Sequence, residues 1–210
     1  MTTPSGTEDV LGAPYTFERI LLPDDDEGEV IATLVRRPAE RARKVKKAVL
    51  YVHGFSDYFF QTELGQWWAD RGYDFYALDL RKYGRSLLPH QTPNYVAEID
   101  EYYPEIDEAW KRIAQRDGHD HIVVTAHSTG GLTMSLWADS RQPHELAGMV
   151  LNSPWLDLQG SMLLRVVGAP VIKQLGSRAP KLELRRAASH VDARSLHKDH
   201  DGEWAFNLDW

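Results

Sequence analysis

Short apolar runs alternate with helix-like stretches over the central part of this chain. A short, continuously apolar run predicts a buried strand over 48–52, and further strands are predicted over 73–80, 121–126 and 146–151. Helices are predicted between them over 62–70, 99–113 and 130–140, and the second carries its apolar residues at three- and four-residue spacing. This alternation predicts an α/β fold, with a mostly parallel sheet, right-handed crossovers and helices on both faces.

The segments that flank this region follow other patterns. Two strand-like runs, 15–22 and 29–35, surround the acidic turn 24–28 and predict an N-terminal antiparallel hairpin at a sheet edge. After Pro154, an apolar stretch is broken at 168–170 and a polar tail follows. That change predicts helical segments rather than further sheet.

Composition narrows the class of protein. The net charge of −7 argues against nucleic acid as a partner, and the basic run 36–47 is interpreted as a solvated loop. The absence of cysteine excludes disulfides, thiolate metal sites and cysteine nucleophiles. No apolar run is long enough to span a bilayer, and the N-terminus lacks the basic start of a secretory signal. We therefore expect a cytoplasmic protein.

The segment Ala126–Gly131, with the sequence Ala-His-Ser-Thr-Gly-Gly, lies between a predicted strand and a predicted helix. A tight strand-to-helix turn can expose a serine, and it needs small residues two positions before and two after that serine. Ala126 and Gly130 meet this requirement, which makes Ser128 the candidate nucleophile. The N–H of Thr129, at the helix start, is a candidate oxyanion donor. The alternative is a turn that only caps a helix.

A second motif, His53-Gly54-Phe55-Ser56, directly follows the first buried strand. Its glycine permits a tight turn, and the N–H of Phe55 is the candidate second oxyanion donor. Two donors from two neighbouring strand ends are what an oxyanion hole requires. A third motif, Asp79–Ser86, is interpreted as a charged, hydrogen-bonded turn with a structural role.

Together the three motifs resemble those of the α/β-hydrolase superfamily, and most closely the monoacylglycerol-lipase-like group, also called the serine aminopeptidase S33 type. That group shows an H-G-x-x-[DE] loop, a D-x-R-G-x-G-x-S turn and a G-H-S-x-G-G elbow. The resemblance covers residues 14 to 175, and this sequence departs from the pattern at Lys82, Tyr83 and Ala126. It implies a hydrolase core over 14–158 and the start of a helical cap or lid over 159–210.

The resemblance also implies a triad acid and histidine after two further strands. A strand–helix crossover takes roughly 30 residues, and the 56 residues that follow Pro154 are cap-like. We therefore expect an N-terminal fragment that lacks the last two strands. Asp157 is kept as a candidate acid. His127 is excluded as the base, because neighbouring side chains near a strand end point to opposite sides.

The function implied is that of a serine hydrolase that cleaves carboxylic esters, similar to monoacylglycerol or lysophospholipid lipases and esterases. Two alternatives stay open: an inactive truncated hydrolase or pseudo-enzyme with at most a binding role, and an S33-type aminopeptidase. Trp155 is a candidate substrate-binding residue. No cofactor, metal or obligate protein partner is expected. The expected partner is a small ester or lipid, with transient membrane-surface contact through the cap.

Overall fold

The computed structural model describes residues 6–40, 45–156 and 197–198. These form one seven-stranded sheet in the order β1-β2-β3-β5-β4-β6-β7. The strands are β1 (Thr7–Glu8), β2 (Thr16–Asp25), β3 (Gly28–Arg37), β4 (Lys47–Val52), β5 (Asp74–Asp79), β6 (His121–His127) and β7 (Leu146–Asn152). The helices are α1 (Thr62–Asp70), α2 (Tyr103–Lys111) and α3 (Thr129–Arg141).

The predicted α/β sheet is confirmed. Strands β5, β4, β6 and β7 are parallel, whereas β3 joins β5 antiparallel and continues into the predicted hairpin with β2. The hairpin is not the outermost element, because the two-residue strand β1 pairs with Phe17 and Thr16 of β2. A strand of two residues is too short to show an alternating pattern, so β1 was not predicted.

The segment 99–113, predicted as one helix, is composite. A 3-10 turn over Ile99–Tyr102 precedes α2, and a π-helical turn over Arg112–Arg116 follows it. Pro104 has no N–H to offer the carbonyl of Asp100. The N–H of Tyr103 bonds that carbonyl instead, so the segment begins with the tighter three-residue spacing.

The core lies on both faces of the sheet, because alternate residues of each strand point in opposite directions. In β4, Leu50 joins the cluster that contains Ile106 of α2 and Trp137 of α3. Its neighbour Val49 packs in the opposite cluster with Phe75. Burial on both faces explains the continuously apolar sequence of β4.

Strand β7 is less covered than the other parallel strands. Within the described residues it pairs only with β6, and Val150 is 52% exposed. No helix in the described part of the chain combines the length and the apolar character that a membrane crossing requires.

Candidate active site

The two main motifs meet at the carboxyl edge of the sheet. Strands β4 and β6 are parallel neighbours in a register that pairs Val52 with Ala126. The loops that follow them therefore leave the sheet at the same level. The strand order reverses at this point, since β5 lies on one side of β4 and β6 on the other. Open α/β sheets bind ligands at such a crevice.

Ser128 has an unusual backbone conformation for a residue with a side chain. Its φ of 50° and ψ of −119° lie in a region that costs a non-glycine residue free energy. The N–H of Ser128 donates to the carbonyl of Asn152, and its own carbonyl accepts from Gly131 and Trp155, each at 3.0 Å. These bonds, one within the start of α3 and two to the end of β7 and the residues that follow it, hold the strained turn in place.

The side chain of Ser128 is not used to cap the helix. Ser128 stands at the N-cap of α3, where serine commonly bonds an exposed N–H of the first turn. No side-chain capping bond is present. Within the described residues its hydroxyl has no hydrogen-bond partner, which argues against the interpretation of this turn as a simple helix cap.

Small residues let the start of α3 approach the end of β4. A Cβ added at Gly130 would collide with the carbonyl oxygen of His53 and lie 2.8 Å from that of Val52. Ala126 is 1% exposed and sits in register between Val52 and Leu151, so its methyl group fits where the family pattern has glycine.

The loop after β4 lies directly against Ser128. A Cβ added at Gly54 would be 3.1 Å from the Cβ of Ser128 and 3.2 Å from Nδ1 of His127. The structure thus brings together the two motifs that the sequence predicted to be neighbours. Phe55 and Thr129 flank this contact, and within the described residues neither N–H donates a hydrogen bond.

His53 sets the orientation of the loop peptide. Its buried ring accepts the N–H of Leu80 at Nε2 (3.1 Å), so the ring proton is on Nδ1 and is donated to the carbonyl of Gly54 at 2.7 Å. That carbonyl and the N–H of Phe55 belong to one trans peptide and point in opposite directions. His53 therefore fixes where the N–H of Phe55 points, a role that the sequence analysis did not assign.

Asp57 connects the same loop to the elbow. Its Oδ2 accepts the N–H of Gly54 at 3.4 Å and lies 3.6 Å from Nδ1 of His127. The nearby carboxylate of Asp57 raises the pKa of His127 above its ordinary value, although partial burial opposes the shift. His127 is thus engaged with Asp57. The H-G-x-x-D pattern contained Asp57 but gave no indication of this partner.

The turn Asp79–Ser86 stabilises the loop that follows β4 through buried hydrogen bonds. The fully buried carboxylate of Asp79 accepts the N–H of Phe59 at 3.0 Å and the guanidinium of Arg85 at 2.8 Å. Arg85 also donates to Asp9, near the N-terminus. These contacts agree with the structural role predicted for this motif.

Lys82 occupies a position where the family pattern has glycine, and its φ of 62° explains that preference. Its ammonium group is buried and pairs with Asp25 at 2.7 Å and Glu27 at 2.8 Å, at the tip of the β2–β3 hairpin. Burial alone would lower the pKa of Lys82, but the two carboxylates outweigh it and raise the pKa.

A cavity of about 200 Å³ opens beside the elbow. It extends from Phe55 and Thr129 to Tyr83, and Trp155 forms part of its wall. Trp155 is 42% exposed, which leaves its ring accessible from this side. Asp157, the candidate acid, lies outside the described residues.

The sheet order, the strained serine turn and the neighbouring glycine loop define a protein of the α/β-hydrolase fold. A family model, described as serine aminopeptidase, S33, matches residues 43–205. The chain belongs to this family, which confirms the resemblance drawn from its motifs.

Individual proteins that are similar to this chain are also hydrolases. Phospholipase YtpA of Bacillus subtilis is 28% identical over 120 residues, which are 57% of this chain and 44% of that protein. A monoglyceride lipase of Saccharomyces cerevisiae matches with a TM-score of 0.58 and 18% identity, over 78% of this chain and 53% of the lipase. A carboxyl esterase of Bacillus coagulans matches with a TM-score of 0.60 and 14% identity, over 78% of this chain and 51% of the esterase. The chain spans about half the length of these relatives.

Proposed function

We propose that this chain carries the nucleophile and oxyanion hole of a serine hydrolase that acts on carboxylic esters. Ser128 is the nucleophile, and the N–H groups of Phe55 and Thr129 are the oxyanion donors. The observation that carries the proposal is the strained backbone of Ser128, whose hydroxyl does not cap α3. This residue lies directly against Gly54 of the loop that follows β4. Strained residues of this kind cluster at active sites, where they present a reacting group.

The reaction follows from these groups. The Ser128 Oγ attacks the ester carbonyl carbon and gives up its proton, while the carbonyl oxygen takes the negative charge between the two N–H groups. Collapse of this intermediate expels the alcohol, which takes up a proton, and leaves an acyl-serine. Water then releases the acid. Within the described residues, no group is hydrogen-bonded to the Ser128 hydroxyl, so these residues do not identify the base that accepts its proton or the acid partner of that base.

The comparisons favour an ester over an amide. The relatives are a phospholipase, a monoglyceride lipase solved with a substrate analogue and a carboxyl esterase solved with glycerol. A small ester or lipid is accordingly the proposed substrate, and peptidase activity remains the alternative suggested by the family's description.

A fluorophosphonate probe tests the proposal, because serine oxygen displaces fluoride only where the serine is activated. We expect wild-type protein to be labelled and Ser128→Ala to remain unlabelled. Ser153→Ala is the matched control, since Ser153 is exposed and also has a positive φ, at 46°. It should label like wild type.

Equal labelling of Ser128→Ala and wild type would refute Ser128 as the nucleophile. Complete inertness of the wild-type chain would instead favour a protein that binds esters without cleaving them. Comparing p-nitrophenyl acetate with an aminoacyl p-nitroanilide then separates esterase from aminopeptidase activity.

A further inference from the structure

The tip of the loop that follows β4 has no backbone support of its own. Phe55 and Ser56 form this tip, and both are exposed. Within the described residues, neither the N–H nor the carbonyl group of either residue forms a hydrogen bond. Ser56 also has a left-handed backbone, with a φ of 51°, which persists only where neighbouring contacts determine it. His53 fixes the Gly54 end of the peptide that carries the Phe55 N–H, so the Ser56 end depends on contacts from outside the loop.

Asn94 supplies the hydrogen bond that reaches this tip. Its Nδ2 donates to the Oγ of Ser56 at 3.1 Å, and no other described residue is hydrogen-bonded to Phe55 or Ser56. The ring of Tyr83 lies edge to face against that of Phe55, with the centroids 6.5 Å apart. The Tyr83 hydroxyl in turn lies 3.5 Å from the carbonyl oxygen of Asn94. The hydrogen bond and the ring contact at the tip therefore both involve groups that are tied to Asn94.

Asn94 is itself anchored by its backbone. Its N–H donates to the carbonyl of Lys82 at 2.9 Å. Its φ of 59° is left-handed, a conformation that asparagine tolerates better than most residues. Two positions earlier, Thr92 donates to Glu27 at the hairpin tip, from its N–H at 3.1 Å and from its hydroxyl at 2.6 Å. Because these bonds already fix the backbone that presents the amide, little further ordering is needed to hold Ser56.

We propose that Asn94 is a positioning residue for the oxyanion hole, because its amide holds Ser56 and thereby the direction of the Phe55 N–H. The inference rests on the proposed function, since Phe55 is one of the two proposed oxyanion donors. Such donors act from a position that is set before the reaction begins. The contacts form a path from Glu27 of the β2–β3 hairpin, through the segment 92–94, to the donor itself.

The alternative is that the contact between Asn94 and Ser56 only stabilises the fold. The two roles differ in their kinetics. An oxyanion donor acts on the charge that develops in the transition state, so a displaced Phe55 N–H lowers kcat and leaves KM unchanged. A contact that contributes stability alone lowers the denaturation midpoint and leaves the kcat of the folded protein unchanged.

Hydrolysis of p-nitrophenyl acetate by the full chain tests the proposal. We expect Asn94→Ala to lower kcat about three- to tenfold, the worth of one hydrogen bond, with KM unchanged. Ser56→Ala should show the same loss, and the double variant should lose no more, because both changes remove one contact. Gln142→Ala is the matched control, since Gln142 is also an exposed amide residue with a positive φ, at 44°, but caps the far end of α3. It should keep the wild-type kcat.

An unchanged kcat in Asn94→Ala would overturn the inference. Additive losses in the double variant would overturn it as well, and so would an equal loss in Gln142→Ala.

Backbone relaxation of ¹⁵N-labelled protein provides a readout that needs no turnover. We expect the Phe55 amide to have an order parameter of about 0.85 in wild type and to fall below about 0.6 in Asn94→Ala. The amide of Thr129, the other proposed donor, should not change. An equally rigid Phe55 amide in the variant would contradict the proposal. If Asn94→Ala does not fold, Ser56→Ala takes its place with the same expected result.

The two proposals fail in different ways. Loss of order at Phe55 in Asn94→Ala, in a wild-type protein that hydrolyses no ester, would refute the catalytic proposal and leave the hold of Asn94 on the loop. Hydrolysis that depends on Ser128 but not on Asn94 would leave the nucleophile and refute the positioning role.

Discussion

Lys82 provides a test of how a local strain and a distant ion pair combine. Its left-handed backbone favours glycine, which the family pattern has at this position. Its ammonium group, however, pairs with Asp25 and Glu27 in a site where the lysine side chain is only 3% exposed. Lys82→Gly therefore removes both the cost of the left-handed backbone and the stabilisation from the ion pairs.

The structure allows both contributions to be sized. The left-handed conformation costs a non-glycine residue about 1 kcal/mol. Loss of one partner from a buried ion pair costs about 3–5 kcal/mol. Asp25 is 20% exposed, and Glu27 keeps two hydrogen bonds from Thr92, so we take about 2–3 kcal/mol for this site. We expect Lys82→Gly to lower the free energy of unfolding by about 1–2 kcal/mol, and Lys82→Met, which keeps the strain, by about 2–3 kcal/mol.

Urea denaturation measures these differences, with the linear extrapolation applied to wild type and both variants. The control places Lys82→Gly in an Asp25→Asn, Glu27→Gln background. There the ion pairs are already gone, and glycine should raise the free energy of unfolding by at least about 1 kcal/mol, because it removes both the backbone strain and a buried ammonium without a charged partner. A Lys82→Gly protein as stable as wild type, or less stable than Lys82→Met, would refute the reasoning.

Two further predictions concern the elbow and its loop. Gly130→Ala should destabilise the protein by more than about 3 kcal/mol in urea denaturation, because the added methyl group meets the carbonyls of His53 and Val52. Gly72→Ala is the control, because Gly72 has a positive φ but open space around it. It should cost only about 1 kcal/mol. The raised pKa of His127 depends on Asp57, so Asp57→Asn should return it toward 6.5 in an NMR titration. The stabilisation from this pair is full below the unfolded pKa and is lost as pH rises through the raised value, and an unchanged His127 pKa in the variant would exclude Asp57 as the cause.

The sequence by itself determined the main strands and helices and the position of the candidate nucleophile. The apolar runs 48–52, 121–126 and 146–151 lie within the strands β4, β6 and β7. In β4, burial on both faces accounts for the continuous apolar residues. The position of Ser128 followed from a short-range rule, since small residues on both sides of a tight turn are neighbours in the chain. The family resemblance was confirmed as well.

Only the tertiary structure decided which side chains act on one another. His53 and Leu80, Asp57 and His127, and Lys82 and Glu27 are partners far apart in the sequence, so periodicity and local motifs carry no information about them. The size of the cavity depends in the same way on rings from four segments. Local patterns specify strands and turns because backbone sterics and burial act over a few residues, whereas contacts between loops exist only after the sheet has brought the strand ends together.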